Sequence, residues 1–246
     1  MSEVYWVTSK MAKVWDEVYS QVFDYDYEVR KLDSIFKKYN VKNILDLGCG
    51  TGEHCIRLAS LGYNCYGVDI NRDLLQIAEN KAKNRNIMFI QLDYLTSDLG
   101  ELEKITGIKE FDAVIMLNMS HPIDNLLKVL ENVKKILKAN GIFLFNFINH
   151  ESKDFPTFCY EIGEHVIRLN SFYHIDRKRI EWHMAWLFIE RGYLSIEVAK
   201  SYLYKYGIDE IREILSSAGF CVESIDNENW VIGVYKNGGE GYGDMA

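Results

Sequence analysis

Residues 44–54 read Ile44-Leu45-Asp46-Leu47-Gly48-Cys49-Gly50-Thr51-Gly52-Glu53-His54. An apolar run enters three glycines at alternate positions, and a helical pattern follows. Glycine lets the chain turn tightly and lets a ligand approach the backbone. A helix starting behind such a loop offers unpaired N–H groups and a partial positive charge. Asp69 ends the next apolar run, Cys65-Tyr66-Gly67-Val68, 21 positions after Gly48. A doubly wound α/β fold places a carboxylate there to accept ribose hydroxyls.

The spacing narrows the ligand. It is Gly-x-Gly-x-Gly, so the dinucleotide fingerprint Gly-x-Gly-x-x-Gly is absent. A Gly-Lys-Ser/Thr phosphate loop is absent as well. Asp46 stands on the strand just before the loop. A carboxylate there is unfavourable beside a pyrophosphate and suits an ammonium group. The arrangement points to a nucleoside with a positively charged amino-acid end.

Outward from this core, apolar strands alternate with amphipathic helices. Strands are expected at 43–47, 65–68, 87–92, 111–117 and 142–148. Helices are expected through about Leu61, over 72–83 and over 123–137, the last stopped by Asn140-Gly141. This alternation implies a parallel sheet with helices on both faces. Residues 1–40 read as a helical lead-in, 41–150 as the ligand-binding core and 151–206 as an inserted antiparallel cap. Residues 207–236 add a helix and a closing hairpin, and 237–246 form a glycine-rich tail expected to be disordered. In the cap, Trp182, Met184, Trp186 and Phe188 recur with period two, the pattern of a half-buried strand. That stripe reads as sheet core or a dimer surface rather than a substrate box.

The chain has 246 residues, 48% of them hydrophobic and 26% charged, which supports a sizeable soluble core. Its formal charge of −8 disfavours sequence-independent nucleic-acid binding, which depends on cation-to-phosphate contacts. Five cysteines without CxxC spacing suggest reduced thiols, with neither a disulfide framework nor a zinc site. His174 and His183 lack partners at metal-ligand spacing. The N-terminus lacks the apolar core of a signal peptide, and no apolar run reaches the roughly 20 residues of a membrane span. A soluble, cytoplasmic protein is expected.

ILDLGCGTG resembles the first motif of the class I S-adenosylmethionine-dependent methyltransferases. Asp69, in GVDI, is similar to the acidic ribose-binding residue of their second motif. Asp93-Tyr94, in IQLDYL, resembles the third, where the Asp receives the adenine amino group. FDAVIMLNMSH, residues 111–121, resembles the fourth, whose loop lines the methyl-transfer site, and GIFLFNF resembles the fifth strand. The lead Trp15-Asp16-x-x-Tyr19 is similar to the Tyr-Asp-x-x-Tyr of small-molecule N-methyltransferases, including amino-sugar dimethyltransferases and glycine N-methyltransferase-like enzymes. Trp15 departs from that pattern.

The resemblance implies a seven-stranded, mostly parallel Rossmann-like sheet and S-adenosyl-L-methionine as methyl donor. Asp46 and the loop Gly48, Cys49, Gly50 and Gly52 would hold the methionyl end. Asp69 and Ile70 would hold the ribose, and Asp93 and Tyr94 the adenine. Leu117, Asn118 and Met119 would form the floor beside the sulfur, and Tyr19 would close over the cofactor. His121, after the fourth strand, is the candidate proton acceptor, or else a histidine packed beside Pro122. Blander readings stand beside these: Asp69 as a helix N-cap, Asp93 as a turn residue, Tyr19 as a core tyrosine, Cys49 as a residue whose backbone alone matters.

A small-molecule acceptor methylated at nitrogen is the expectation. An amine needs only to lose a proton, whereas an oxygen acceptor calls for a stronger base or a metal. The inserted strands are expected to cap the acceptor site or form a homodimer surface. Three rival classes are weighed against this. A nicotinamide-dependent oxidoreductase should show the longer glycine spacing. A nucleic-acid or protein methyltransferase shares the cofactor motifs, but a nucleic-acid enzyme would want a basic groove or an Asn/Asp-Pro-Pro-Tyr/Phe loop in place of Asn118-Met119-Ser120-His121. A non-catalytic binder should lose the glycines or Asp69.

Overall fold

The computed structural model describes residues 7–82, 86–118, 123–149, 158–162 and 166–236. Strands β1 (Asn43–Leu47), β2 (Asn64–Asp69), β3 (Ile87–Gln91), β4 (Phe111–Met116), β5 (Leu137–Asn146), β11 (Phe220–Ile225) and β12 (Trp230–Tyr235) form a seven-stranded sheet in the order β11-β12-β5-β4-β1-β2-β3. β1 pairs in parallel with both β2 and β4, and β4 with β5. Only the closing hairpin breaks the direction: β12 runs antiparallel to β5 and to β11. The strand order reverses between β1 and β4, and a doubly wound sheet binds its ligand in the crevice at such a switch point.

Helices cover both faces. On one, Val29, Leu32 and Phe36 of α3 (Tyr25–Lys38) pack with Cys55 and Leu58 of α4 (Glu53–Ser60). On the other, Leu126, Val129, Leu130 and Val133 of α7 (Ile123–Val133) pack with Ile211, Ile214 and Leu215 of α8 (Ile208–Ser217). Side chains cap the starts of two helices, the second at its expected position. Asp24 accepts the Tyr27 N–H at 2.8 Å before α3, and Asn71 accepts the Leu74 N–H at 3.0 Å before α5 (Arg72–Lys81).

One boundary differs from the periodicity. A helix to Leu137 is expected, but α7 stops at Val133 and β5 begins at Leu137. Val133 and Leu137 are both buried, four residues apart, so the spacing suits a helix. The chain turns between them instead. The Phe111 N–H donates to Ile136 O at 2.7 Å, and Leu137 pairs with Phe111 at the start of β4.

A second sheet, ordered β6-β10-β9-β8-β7, holds the inserted segment. Its strands are β6 (Ile148–Asn149), β7 (Phe158–Ile162), β8 (Val166–His174), β9 (Arg179–Glu190) and β10 (Tyr193–Tyr206). All but the short β6–β10 pairing are antiparallel. Met184, Trp186 and Phe188 are buried on its inner face. They pack on Met11 of α1 (Ser9–Lys13), Val18 of α2 (Trp15–Tyr19) and Leu74 of α5. The aromatic stripe is therefore core, formed against the N-terminal helices. Across residues 7–82 and the other described segments, no helix is long and apolar enough to cross a membrane.

Candidate active site

The glycine loop leaves β1 with three left-handed residues: Gly48, Gly50 and Gly52 have φ of 75°, 54° and 77°. L side chains are strained there, and only glycine adopts it freely. The Gly48 and Cys49 N–H groups donate to Val68 O at 2.8 and 3.0 Å, which ties the loop to the end of β2. A Cβ on Gly52 would lie 2.5 Å from Phe89 Cζ. The loop is thus a cradle with no room for a side chain at Gly52.

Two carboxylates face it. Asp46 is 2% exposed, and burial pushes its carboxyl up to about 6. His54 and a Cys55 thiol donating to Oδ2 at 3.5 Å work in the opposite direction. Asp69 Oδ2 accepts the Gly50 N–H at 2.9 Å, and Oδ1 accepts the Asn71 N–H at 2.8 Å. Burial raises its pKa as well. Each carboxylate oxygen keeps a further lone pair.

The sequence-predicted residues fall around this loop in different ways. Ile70 is exposed beside Asp69. Asp93 accepts the Leu95 N–H at 2.9 Å and the Thr96 hydroxyl at 2.8 Å, so it organises its own turn. Tyr94 is buried, its hydroxyl raised by burial and then by Asp69 and Asp93. The Cys49 thiol is raised well above its ordinary value by burial, which makes it inert. Leu117 is buried at the end of β4. Asn118 follows in the left-handed region at φ 58°. Its N–H donates to Asn146 Oδ1 at 2.7 Å, and the Asn146 amide returns a bond to Asn118 Oδ1 at 2.8 Å. Met119 and His121 lie outside the described residues.

The N-terminal helices close over the loop. Trp15 Nε1 lies 3.9 Å from the point where a Gly50 Cβ would stand. Its ring contacts Tyr19 at a centroid distance of 4.3 Å. Asp16 accepts a short hydrogen bond from the Thr51 hydroxyl and pairs with Lys81 at 2.6 Å. Lys81 also pairs with Glu53. Asp16 thus bolts the strap to the cradle, a role that the quoted lead contained but the sequence reading left unassigned.

A buried polar cluster also escaped that reading. His54 Nε2 lies 2.7 Å from Glu28 Oε2, and both are buried. The Asn118 amide donates to both Glu28 oxygens, at 3.3 and 3.4 Å. His54 sits inside the quoted motif. Glu28 lies on α3, in the buried stripe of an amphipathic helix, and a carboxylate at such a position is the signal that would have found it.

A mostly parallel sheet of this order, with a glycine loop and the carboxylates Asp46 and Asp69 at its switch point, is the class I methyltransferase architecture. Comparison with known proteins agrees. A family model described as a methyltransferase domain matches residues 40–219. YqeM of Bacillus subtilis (strain 168), assigned by name to the methyltransferases, is 33% identical over 227 residues, 87% of this chain and 86% of that protein. Two solved structures share the fold. An S-adenosylmethionine-dependent methyltransferase from Clostridium acetobutylicum ATCC 824 superposes with a TM-score of 0.75 at 18% identity, covering 94% of this chain and 98% of its own. The sugar N-methyltransferase KedS8 from Streptoalloteichus sp ATCC 53650 gives 0.76 at 20% identity, covering 91% and 93%.

The chain belongs to this methyltransferase-domain family. By family, motifs and sheet order together it is an S-adenosylmethionine-dependent methyltransferase.

Proposed function

We propose that the enzyme methylates a nitrogen of a small-molecule acceptor. The observation that carries the cofactor assignment is Asp46, a buried carboxylate on the strand that leads into the glycine loop. A buried carboxylate needs a positive partner, and the donor's ammonium group is one. Asp46 and the Gly48–Gly52 loop take the methionyl end, with the Glu28–His54–Asn118 cluster behind them. Asp69 and Ile70 take the ribose, Asp93 and Tyr94 the adenine. Leu117, Asn118 and Met119 line the transfer point, and Tyr19 closes over it.

When bound, S-adenosylmethionine supplies a methyl carbon already activated for displacement. The chain's residues then supply alignment and water exclusion. The strap from Trp15 to Tyr19 covers the loop, and the paired Asn118 and Asn146 fix the backbone after β4. An amine attacks only when neutral, so a base must hold its proton, and His121 takes that role. A small-molecule acceptor accords with the negative net charge and with the fold shared with a sugar N-methyltransferase.

Thermal unfolding with S-adenosylhomocysteine, with NADH as control, tests the cofactor. A shift with the first, none with the second, and a reduced one in Asp69→Ala is expected. Methyl-labelled S-adenosylmethionine and a panel of acceptors test the chemistry. Label recovered on oxygen or carbon would remove the nitrogen assignment.

We further propose that two copies meet along β10. Among the described residues its outer side pairs only at Lys205 and Tyr206, and Leu194, Ile196 and Val198 are exposed. A long free edge can pair with an antiparallel copy of itself about a two-fold axis.

A further inference from the structure

Arg168 is a fully buried cation on the inner face of the inserted sheet, with no part in the methyl transfer described above. It is 1% exposed. On paired strands β8 and β9 it stands opposite Trp186, while Asn170 stands opposite Met184 and Phe172 opposite Trp182. Alternate residues of a strand share a face, so these side chains form one patch. The guanidinium lies 4.9, 5.2 and 4.9 Å from the ring centroids of Tyr19, Trp182 and Trp186. One terminal nitrogen donates to the Tyr19 hydroxyl at 3.2 Å and to Met184 Sδ at 3.6 Å. Among the described residues no carboxylate pairs with it.

Among the described residues, three N–H donors in this patch have no partner: Arg168 Nε, Asn170 Nδ2 and Trp186 Nε1. Asn170 and Trp186 are 1% and 0% exposed. The Asn170 carbonyl is already used, because Trp182 Nε1 donates to it at 3.0 Å. Its amide N–H groups are therefore the end left over. The patch holds a positive charge and several free donors, with Asn170's acceptor oxygen occupied. Aromatic faces offset part of the charge, but they leave the Arg168 Nε–H unsatisfied. A buried Arg that served folding alone would be paired with an acid or replaced by an apolar residue at no loss.

Placement gives the patch a use. Tyr19 touches Arg168 on one side and Trp15 on the other, and Trp15 covers Gly50. Two aromatic rings, Tyr19 and Trp15, thus lie between Arg168 and Gly50. We infer that Arg168, with Asn170 and Trp186, binds an oxyanion carried by the methyl acceptor, a carboxylate or a phosphoryl group. The inference rests on the methyltransferase reading and narrows it to anionic acceptors. Guanidinium and amide donors suit both oxyanions.

The test uses the full chain saturated with S-adenosylhomocysteine, titrated with acetate and with inorganic phosphate at constant ionic strength, tetramethylammonium chloride being the control. Saturable stabilisation by acetate, phosphate or both is expected, and which of them acts distinguishes carboxylate from phosphoryl. Arg168→Gln should weaken that binding at least roughly tenfold, as loss of a charged hydrogen-bond partner does, with S-adenosylhomocysteine affinity within about twofold of wild type. Trp186→Phe keeps the ring and deletes one donor, so it should weaken anion binding severalfold even if Arg168→Gln fails to fold. No anion binding by wild type, or full binding by Trp186→Phe, overturns the inference. An Arg168→Gln protein that loses S-adenosylhomocysteine in equal measure also overturns it, since Arg168 would then serve the cofactor or the strap. Failure of wild type to bind S-adenosylhomocysteine at all would instead strike the methyltransferase reading.

Discussion

Asp46 carries the sharpest residue-scale consequence. Burial raises its folded pKa from an ordinary 3.8 to about 6. The native state then holds the proton more tightly than the unfolded chain does. Its contribution to stability is fully present below 3.8 and is lost as pH rises through about 6. A cation bound beside Asp46 favours the ionised form, so S-adenosylhomocysteine affinity should rise with pH across the same window. Calorimetric titrations between these pH values should show proton release on binding. Asp46→Asn should flatten the pH dependence and weaken binding by about 1.5–3 kcal/mol, roughly ten- to hundredfold. An unchanged pH profile in the variant would separate Asp46 from the ammonium. This residue was legible in the sequence because its chemistry was anomalous for its place, a charge in an apolar strand. Glu28 was visible as a carboxylate on the apolar stripe of α3, but its partners were hidden. Its burial depends on His54 and Asn118, which are 26 and 90 positions away.

The elements hold the cradle through two kinds of contact, one steric and one polar. Gly52 begins α4 at φ 77°, and an added Cβ would meet Phe89 at 2.5 Å and Ala78 Cβ at 3.1 Å. Gly52→Ala should therefore cost about 1–3 kcal/mol, the range of an overpacked core with added backbone strain. Chemical denaturation should show the loss as a lower midpoint at unchanged slope. The strap offers a milder case. Asp16 joins α2 to Thr51 and Lys81 but is only half-buried, so solvent screens its ion pair. Asp16→Ala should leave global stability within about 1 kcal/mol of wild type. It should speed S-adenosylhomocysteine dissociation several-fold, because the strap loses its tie to the glycine loop. Stopped-flow release rates would decide, and an unchanged rate would show that Trp15 and Tyr19 alone hold the strap. Alternation of strands and helices made the large sheet readable, since each element carries its own periodicity. The end of α7 was not readable: Val133 and Leu137 suit one helical face, and only the long-range pairing of Leu137 with Phe111 turns the chain early.

The whole molecule is two sheets joined by the N-terminal helices. Met11 and Val18 pack on Trp186 and Phe188 of the cap, while Asp16 holds the same segment on the glycine loop. Cofactor cradle and cap are thereby linked through one strap, an arrangement invisible to local patterning. The stripe of Trp182, Met184, Trp186 and Phe188 announced a buried face, but not what buries it. The opposite face of that sheet remains exposed, with Leu169, Tyr173, Ile189, Leu194, Ile196 and Val198 at the surface. An apolar face beside a strand edge that pairs, among the described residues, only at Lys205 and Tyr206 is a feature that soluble monomers suppress. Pairing of β10 with its copy would satisfy the backbone of that edge and cover its apolar residues at once. Sedimentation should therefore show a dimer that dissociates on dilution. Replacing both Ile196 and Val198 with Lys should give a monomer as thermally stable as wild type at dilutions where the dimer has dissociated, because neither side chain is buried in one copy. It should still bind S-adenosylhomocysteine, because the cradle lies on the other sheet. A wild-type protein that sediments as a monomer at every concentration would leave β10 an unpaired edge and remove the dimer.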